Sequence, residues 1–479
     1  MLPPDDVKLW KALENANPWW DGDGVEVRFR RLSFKRPTFG WVYKTLTSDL
    51  RRAIVLYGPR QVGKTVLMHQ CIQRLLDDGI EPQRILFIAA DNPAFTDRPL
   101  QSFIDIFVDR FRHDRASRLY VIVDEIQYLK DWSRHLKVLV DTFSAYRFMA
   151  SGSAASALRR QSAESGAGRF ADVLLPPLLF DEYLHLIGEF DDTSSRIAED
   201  IEADRPPDPI AMDELNRHLI DYINFGGFPE TALSGGVEVE QRIGVDIVDK
   251  VLRRDLPALY GIDNPADLNR FFGTLADHSG EHLTYANLSK ATGIAQNTIK
   301  KYFDYLEAAF LVQRVTRIDQ NARRFVNQTD FKAFLTSPSL RAAIWGPTDE
   351  RDDQRLGHLV ETMVANHLSL VARRDELHFA RWRSKSGADR EVDFVRMKPL
   401  FGKEAVKELI EVKWSDRAFE NPKAELAGLL ETCGHYGVDR ALVLTRNVQG
   451  GRKVDGVRLS FRPVAHYCLE LASNNWAPA

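Results

Sequence analysis

Short apolar runs and longer stretches with helical spacing alternate along the first third of the chain. The runs AIVLY, ILFIAA, LYVIVDE and YRFMASG fall between Arg51 and Phe180 and are separated by segments whose apolar positions recur every three to four residues. That alternation predicts a parallel sheet wound with helices. The pattern then breaks at GEFDDTSSRIAEDIEADRPPDPIAMDE, Gly188 to Glu214, an acidic, proline-containing stretch that reads as a surface insertion or linker. Helical spacing dominates from Leu215 to about Asp319, and mixed strand and helix patterns return from Phe325 to the end. Among those later strands is ELIEVKW, Glu408 to Trp414. Side chains alternate along a strand, so Glu411 and Lys413 share one face while Ile410, Val412 and Trp414 share the other.

These shifts suggest a lead-in over 1–50, an α/β core over 51–187, an acidic insertion and helical lid over 188–264, a helix-turn-helix region over 265–325 and an α/β domain over 326–479. A chain of 479 residues is too long for a single core. Its 44% hydrophobic and 28% charged residues are those of an ordinary soluble protein. No apolar run approaches the roughly 20 residues that span a bilayer. The opening MLPPDDVKLWKALENANPWW lacks the basic and apolar regions of a signal peptide, so the expected location is the cytoplasm and no membrane partner is expected. Cys71, Cys433 and Cys468 show no paired spacing, which argues against a disulfide framework or a zinc site. With a net charge near −4, nucleic-acid binding would need a local basic face.

The clearest chemistry lies in GPRQVGKT, which sits directly between the strand AIVLY and the helical run VLMHQCIQRLL. That context is what a P-loop needs. Gly58, Pro59, Arg60, Gln61, Val62 and Gly63 would turn backbone N–H groups around the phosphates of ATP, and the following helix N-terminus adds its positive end. Lys64 would reach the β and γ phosphates, and Thr65 would ligate Mg²⁺. Farther on, LYVIVDE ends in Asp124, suited to the metal shell, and Glu125, suited to the base that positions the attacking water.

Two further regions carry chemistry. LTYANLSKATGIAQNTIKKYFDYLEAAFLVQRV, Leu283 to Val315, contains two helical stretches around Gly293. Leu288, Ile294, Ile299, Phe303 and Leu306 fit the inward positions of a helix-turn-helix, leaving Gln296, Asn297, Thr298, Lys300 and Lys301 outward as candidate DNA contacts. Toward the C-terminus, Glu361 on a helix, Asp393 on a strand and Glu411-x-Lys413 on the next strand resemble the PD-(D/E)xK nuclease arrangement. Asp393 and Glu411 would share Mg²⁺ or Mn²⁺, since hard oxygen ligands without histidine favour those ions over zinc. Lys413 would orient or deprotonate water. The stretch RSKSGADREVDF also looks like the approach to the aspartate of Holliday-junction resolvases. A structural ion pair is the competing reading of Glu411 and Lys413.

Read in order, NPWW, GPRQVGKT, VIVDE, SGSA, AGRF and PLLFDEY resemble the AAA-like ATPase domain of a large bacterial and archaeal family. In that family a domain of unknown function follows, and YINFGGFPE, Tyr222 to Glu230, resembles its entry motif. The resemblance covers nearly the whole chain. It implies an AAA-like P-loop ATPase core, a helical and winged-helix middle region and a restriction-endonuclease-like α/β C-terminal domain. It also implies a polar sensor of the γ phosphate at Ser153, homo-oligomers with a hexamer among the options, and an arginine finger at Arg169, with Arg159 and Arg160 as competitors. Three functions stay open: a Mg²⁺-dependent ATPase acting on DNA, an ATP-switched regulator or scaffold, and an ATP-gated defence endonuclease.

Overall fold

Five parallel strands make the first sheet: β1 (Ala53–Tyr57), β2 (Ile85–Ala89), β3 (Tyr120–Asp124), β4 (Arg147–Gly152) and β5 (Phe170–Leu174). Their order is β2-β3-β4-β1-β5. The computed structural model describes residues 4–95, 98–152, 168–190, 197, 199–200, 203, 205, 207–235, 240–319, 321–325, 329–371, 376–384, 387–400 and 403–474. β1, β3 and β4 are buried along their whole length, as a parallel sheet covered by helices requires. The helix Lys64–Asp77 buries Leu67, Met68, Cys71, Ile72 and Leu75 on one stripe and stops at Asp78, where Gly79 takes φ +82°.

The chain divides into two compact units, residues 1–176 and 177–477. Residues 1–50 are therefore no separate lead-in, and NPWW explains why. The Asn17 amide donates to the Phe87 carbonyl at 2.8 Å and its oxygen accepts the Phe87 N–H at 2.7 Å, so one side chain pairs β2 as a neighbouring strand would. Both indoles, Trp19 and Trp20, donate to the Ile85 carbonyl at 3.2 and 2.9 Å. β2 is an edge strand, and this clamp covers its free backbone groups.

The second unit holds one larger sheet: β6 (His282–Thr284), β7 (Val312–Ile318), β8 (Asp330–Leu335), β9 (Glu376–Arg383), β10 (Asp389–Leu400), β11 (Lys403–Val412), β12 (Arg440–Thr445), β13 (Gly450–Val454) and β14 (Val457–Pro463). Among the described residues its order is β13-β14-β12-β11-β10-β9-β7-β8-β6. A boundary at 325/326 is thus corrected. β8 pairs antiparallel with both β6 and β7, and β7 pairs parallel with β9 from Thr316↔His378 to Ile318↔Ala380. Val392, Val395, Leu409, Leu429, Val443 and Phe461 share the buried cluster behind the C-terminal strands.

The acidic segment ends earlier than Glu214. Asp208 accepts the Ile210 N–H at 2.9 Å and starts the helix Pro209–Asp221 with Pro209 in its first turn. YINFGGFPE then makes one wide π-helical turn at Tyr222–Gly226. Its glycines answer to packing, since a Cβ on Gly227 would lie 1.9 Å from the Ser337 hydroxyl oxygen. From Pro265 the order is helix (Pro265–Asp277), β6, helix (Tyr285–Thr292), helix (Gln296–Ala308), β7, β8.

Candidate functional site

The strand order puts the C-terminal ends of β1, β4 and β3 side by side, with Leu56 opposite Ser151 and Val123 opposite Ala150. Loops leaving those ends converge there, which is where ligands bind in open α/β sheets. Gly58 opens the loop at φ +150°, and a Cβ there would come within 2.0 Å of the Leu175 carbonyl oxygen. Only glycine fits between this loop and the segment that continues β5. Gln61 and Gly63 also adopt positive φ, and Gly63 leads into the helix at Lys64.

Lys64 is buried, and its ammonium donates to the carbonyls of Gly58 at 3.1 Å and Pro59 at 2.7 Å, so it lies inside the loop it serves. Burial lowers its pKa, opposed by the charges of Glu125 and Asp124. Thr65 donates its hydroxyl proton to Asp124 Oδ2 at 2.7 Å, bringing the two expected Mg²⁺ ligands into contact. Glu125 follows in the left-handed region at φ +51°. Its N–H donates to Ser151 Oγ at 3.0 Å, while the Ser151 hydroxyl donates to Asp124 Oδ1. Ser151, fully buried, thus orients both carboxylate residues. Ser153, Arg159 and Arg160 lie outside the described residues. Arg169 is half exposed and paired with Asp141 of its own chain at 3.0 Å.

Sequence reading missed Arg36. Its guanidinium donates to the Val62 carbonyl at 3.2 Å and the Pro176 carbonyl at 3.1 Å, holding the loop from behind. No local pattern connects it to Val62.

In the second unit, Thr284 caps the helix Tyr285–Thr292 by accepting the Asn287 N–H at 3.1 Å, and Gly293 turns the chain at φ +73°. Leu288, Ile294, Ile299, Phe303 and Leu306 are buried. Gln296, Asn297, Lys300 and Lys301 are exposed and Thr298 is half-buried. Lys300 lies 5.3 Å from the Tyr285 ring centroid.

The carboxyl-rich cluster holds a surprise. Glu361, Asp393, Glu411 and Lys413 do come together, but around Lys332, which sequence reading passed over. Its ammonium reaches Glu361 Oε2 at 3.2 Å, Glu391 Oε1 at 2.7 Å and Asp393 Oδ1 at 3.1 Å. An ammonium has three protons, one for each carboxylate. Asp393 Oδ2 accepts the Val412 N–H at 2.9 Å, so both of its oxygens have donors. Lys413 pairs with Glu411 Oε1 at 2.8 Å, leaving Glu411 Oε2 buried with no hydrogen-bond partner. Burial would lower the Lys332 pKa, but the surrounding carboxylates hold it well above the ordinary lysine range. Burial would raise Asp393, and Lys332 and Lys413 overcome it, keeping that carboxyl below its usual range. For Glu361 and Glu411, burial and the Asp393 charge win and push their pKa values up. Two buried carboxyls compete for this ammonium, and the balance favours the charged form at Asp393 and the neutral form at Glu361.

The expected Mg²⁺ or Mn²⁺ pair at Asp393 and Glu411 does not fit this arrangement. Among the described residues no group of three or more His, Cys, Asp or Glu could hold a metal ion. The role expected of Lys413 as activator of water, and the place of Glu361 in the nuclease-like set, rested on that metal.

Residues 50–184 match a family described as "AAA domain". This segment is an AAA-type P-loop ATPase domain. Residues 216–351 match a domain of unknown function, DUF8612. An uncharacterized protein of Haemophilus influenzae is 23% identical over 415 residues, spanning 85% of this chain and 92% of that protein. An uncharacterized protein of Methanocaldococcus jannaschii is 26% identical over 374 residues, 76% of each chain. Solved structures include the Aeropyrum pernix Orc1 protein in complex with DNA, at 12% identity, TM-score 0.30, covering 64% of this chain and 90% of that one. Cdc6p from Pyrobaculum aerophilum matches at 12% identity and TM-score 0.28, covering 73% and 98%. No helix among the described residues is long and apolar enough to cross a membrane.

Proposed function

We propose that the chain hydrolyses ATP with Mg²⁺ at the P-loop and acts on DNA through the exposed face of the helix Gln296–Ala308. The observation that carries the first part is the contact between Thr65 and Asp124, with Ser151 fixing Glu125 beside them. The glycine-lined loop, its inward lysine and this hydroxyl–carboxylate pair suit a triphosphate with a hard cation. Thr65 and Asp124 would hold Mg²⁺, which would supply positive charge against the transferring phosphoryl group. Lys64, now on the carbonyls of Gly58 and Pro59, would turn to the β and γ phosphates. Glu125 orients the attacking water and takes its proton. Lys64→Ala is expected to abolish turnover and weaken ATP binding, whereas Glu125→Gln is expected to keep ATP bound and unhydrolysed. A folded Glu125→Gln protein that binds no ATP would overturn the assignment.

The order helix–strand–helix–helix–strand–strand from Pro265 to Leu335 supports reading that region as a winged helix. Its second inner helix offers Gln296, Asn297, Lys300 and Lys301 to solvent, residue types that meet phosphates and base edges. Turnover measured with single-stranded, duplex and branched DNA tests the coupling. A rate insensitive to all three would favour an ATP-switched regulator or scaffold instead. Arg169 has an intrachain partner in Asp141 and receives no role in a neighbouring subunit. Cutting of DNA is not part of the proposal, because the cation position among the C-terminal carboxylates is filled from within the chain.

A further inference from the structure

β8 reads DFKAFL, and along it Lys332 stands in a run of buried residues. A buried ammonium is costly unless it is paired and hydrogen-bonded. Here it is 3% exposed, and carboxylates from two elements, the helix Asp353–Val371 and the strand β10, close on it at 2.7–3.2 Å. Its three protons are used up. In nuclease-like chemistry the place where a helix carboxylate and a strand aspartate converge belongs to a divalent cation. Here a side chain supplies that positive charge. Asp393, the carboxylate any such cation would need first, also accepts from Val412 N–H on its other oxygen.

We infer that Lys332 is a resident cation that takes the place of a divalent metal among Glu361, Glu391 and Asp393, and that it ties the helix-turn-helix sheet to the C-terminal strands. The tie follows from topology. Lys332 sits opposite His282 on β6, and β6 runs directly into the helix Tyr285–Thr292. Its ammonium therefore links the strands that carry the exposed recognition face to β10, which lies beyond β7 and β9 in the sheet. A metal ion and this ammonium compete for the same oxygens. The cluster is then an ionic bolt, and the domain a metal-free relative of the nuclease design. The inference stands apart from the ATPase reading, since the P-loop lies in the other unit.

The test is Mn²⁺ binding to the full, nucleotide-free chain, read by electron paramagnetic resonance titration and calorimetry. The wild-type protein is expected to bind no Mn²⁺ in a way that Asp393→Asn changes. Lys332→Met keeps the length of the side chain and removes its charge. It is expected to gain one Mn²⁺ per chain, lost again in the double variant Lys332→Met with Asp393→Asn. Lys332→Arg, which keeps the charge, is expected to gain no Asp393-dependent Mn²⁺, so a folding failure of Lys332→Met alone does not remove the test. Wild-type protein that binds Mn²⁺ and loses it on Asp393→Asn would overturn the inference. So would a folded Lys332→Met protein that gains no Mn²⁺, because the ammonium would then not be what excludes the metal.

Discussion

Ser151→Ala removes a single oxygen from the centre of the nucleotide site, and the structure says what that oxygen holds. Its lone pair accepts the Glu125 N–H at 3.0 Å and its proton goes to Asp124 Oδ1. Glu125 is the residue that most needs the first bond. It sits at φ +51°, a left-handed conformation that costs a residue with a Cβ about 1 kcal/mol. Without Ser151 Oγ the N–H retains only Asp124 Oδ1 at 3.2 Å, and that oxygen loses one of its two donors. Leaving buried groups short of partners costs about 1–3 kcal/mol. Part of that appears as lower stability, a melting temperature down by about 2–4 °C per kcal/mol for a domain of this size. The rest appears as loss of position at Glu125, and about 1.4 kcal/mol in the barrier is a tenfold loss in rate. The expectation is kcat reduced by about tenfold or more with ATP affinity within about threefold of wild type, since the phosphate-binding loop and Lys64 are untouched. Steady-state ATPase against ATP concentration, direct binding of a fluorescent ATP analogue and thermal melts of one preparation separate the two parts. Ser151→Thr, which keeps the hydroxyl, should recover most of the rate. A folded alanine variant with unchanged kcat would show that Glu125 is positioned by something else, and the role given to Ser151 would fall.

Three other expectations follow from the same geometry. Lys64→Ala and Glu125→Gln should separate as loss of binding against trapped binding in a filter or fluorescence assay. Lys300→Ala with Lys301→Ala should weaken DNA binding across sequences and lower the salt slope by about one unit per lost phosphate contact, and an unchanged slope would move the DNA site elsewhere. His367 is fully buried, donating Nδ1–H to the Met363 carbonyl at 2.8 Å and accepting the Phe180 N–H on Nε2 at 3.2 Å, so it must be neutral. Burial pushes its pKa down to about 4. Because the folded-state value is depressed, its stability contribution is complete above the unfolded value near 6.5 and is lost as pH falls from there toward 4, a total of about 3 kcal/mol. Urea titrations of wild type and His367→Gln between pH 7.5 and 4.5 check this, and identical pH slopes would refute it.

How far the sequence reaches depends on how local the physics is. The P-loop was legible because strand, glycine loop and helix are contiguous and each glycine answers to a backbone need; at Gly58 a Cβ would come within 2.0 Å of the Leu175 carbonyl oxygen. The burial pattern of Leu283 to Val315 was legible for the same reason, since its buried and exposed sets alternate within one short segment. Arg36 was not, because the carbonyls it supports, Val62 and Pro176, are far from it in the chain and carry no side-chain signature. The continuity of the second sheet was hidden as well. It rests on a short parallel register between β7 and β9, which no composition shift announces.

Lys332 is the instructive case, because a signal was present and lay outside the motif. In DFKAFL every residue after Asp330 is apolar except one lysine, and a lysine in a fully buried strand must find carboxylates. Reading Glu361, Asp393, Glu411 and Lys413 as a set asks only whether the residues that chemistry needs are there. The physical question is whether their negative charge has been answered already. Four buried or half-buried carboxylates, Glu361, Glu391, Asp393 and Glu411, face two ammonium groups, Lys332 and Lys413. The imbalance is met by protons, which is why Glu361 and Glu411 are pushed toward their neutral forms while Asp393 stays ionised. A motif counts ligands; a site is decided by charge, and here the lysine from β8 tips the balance away from a metal and toward a bolt.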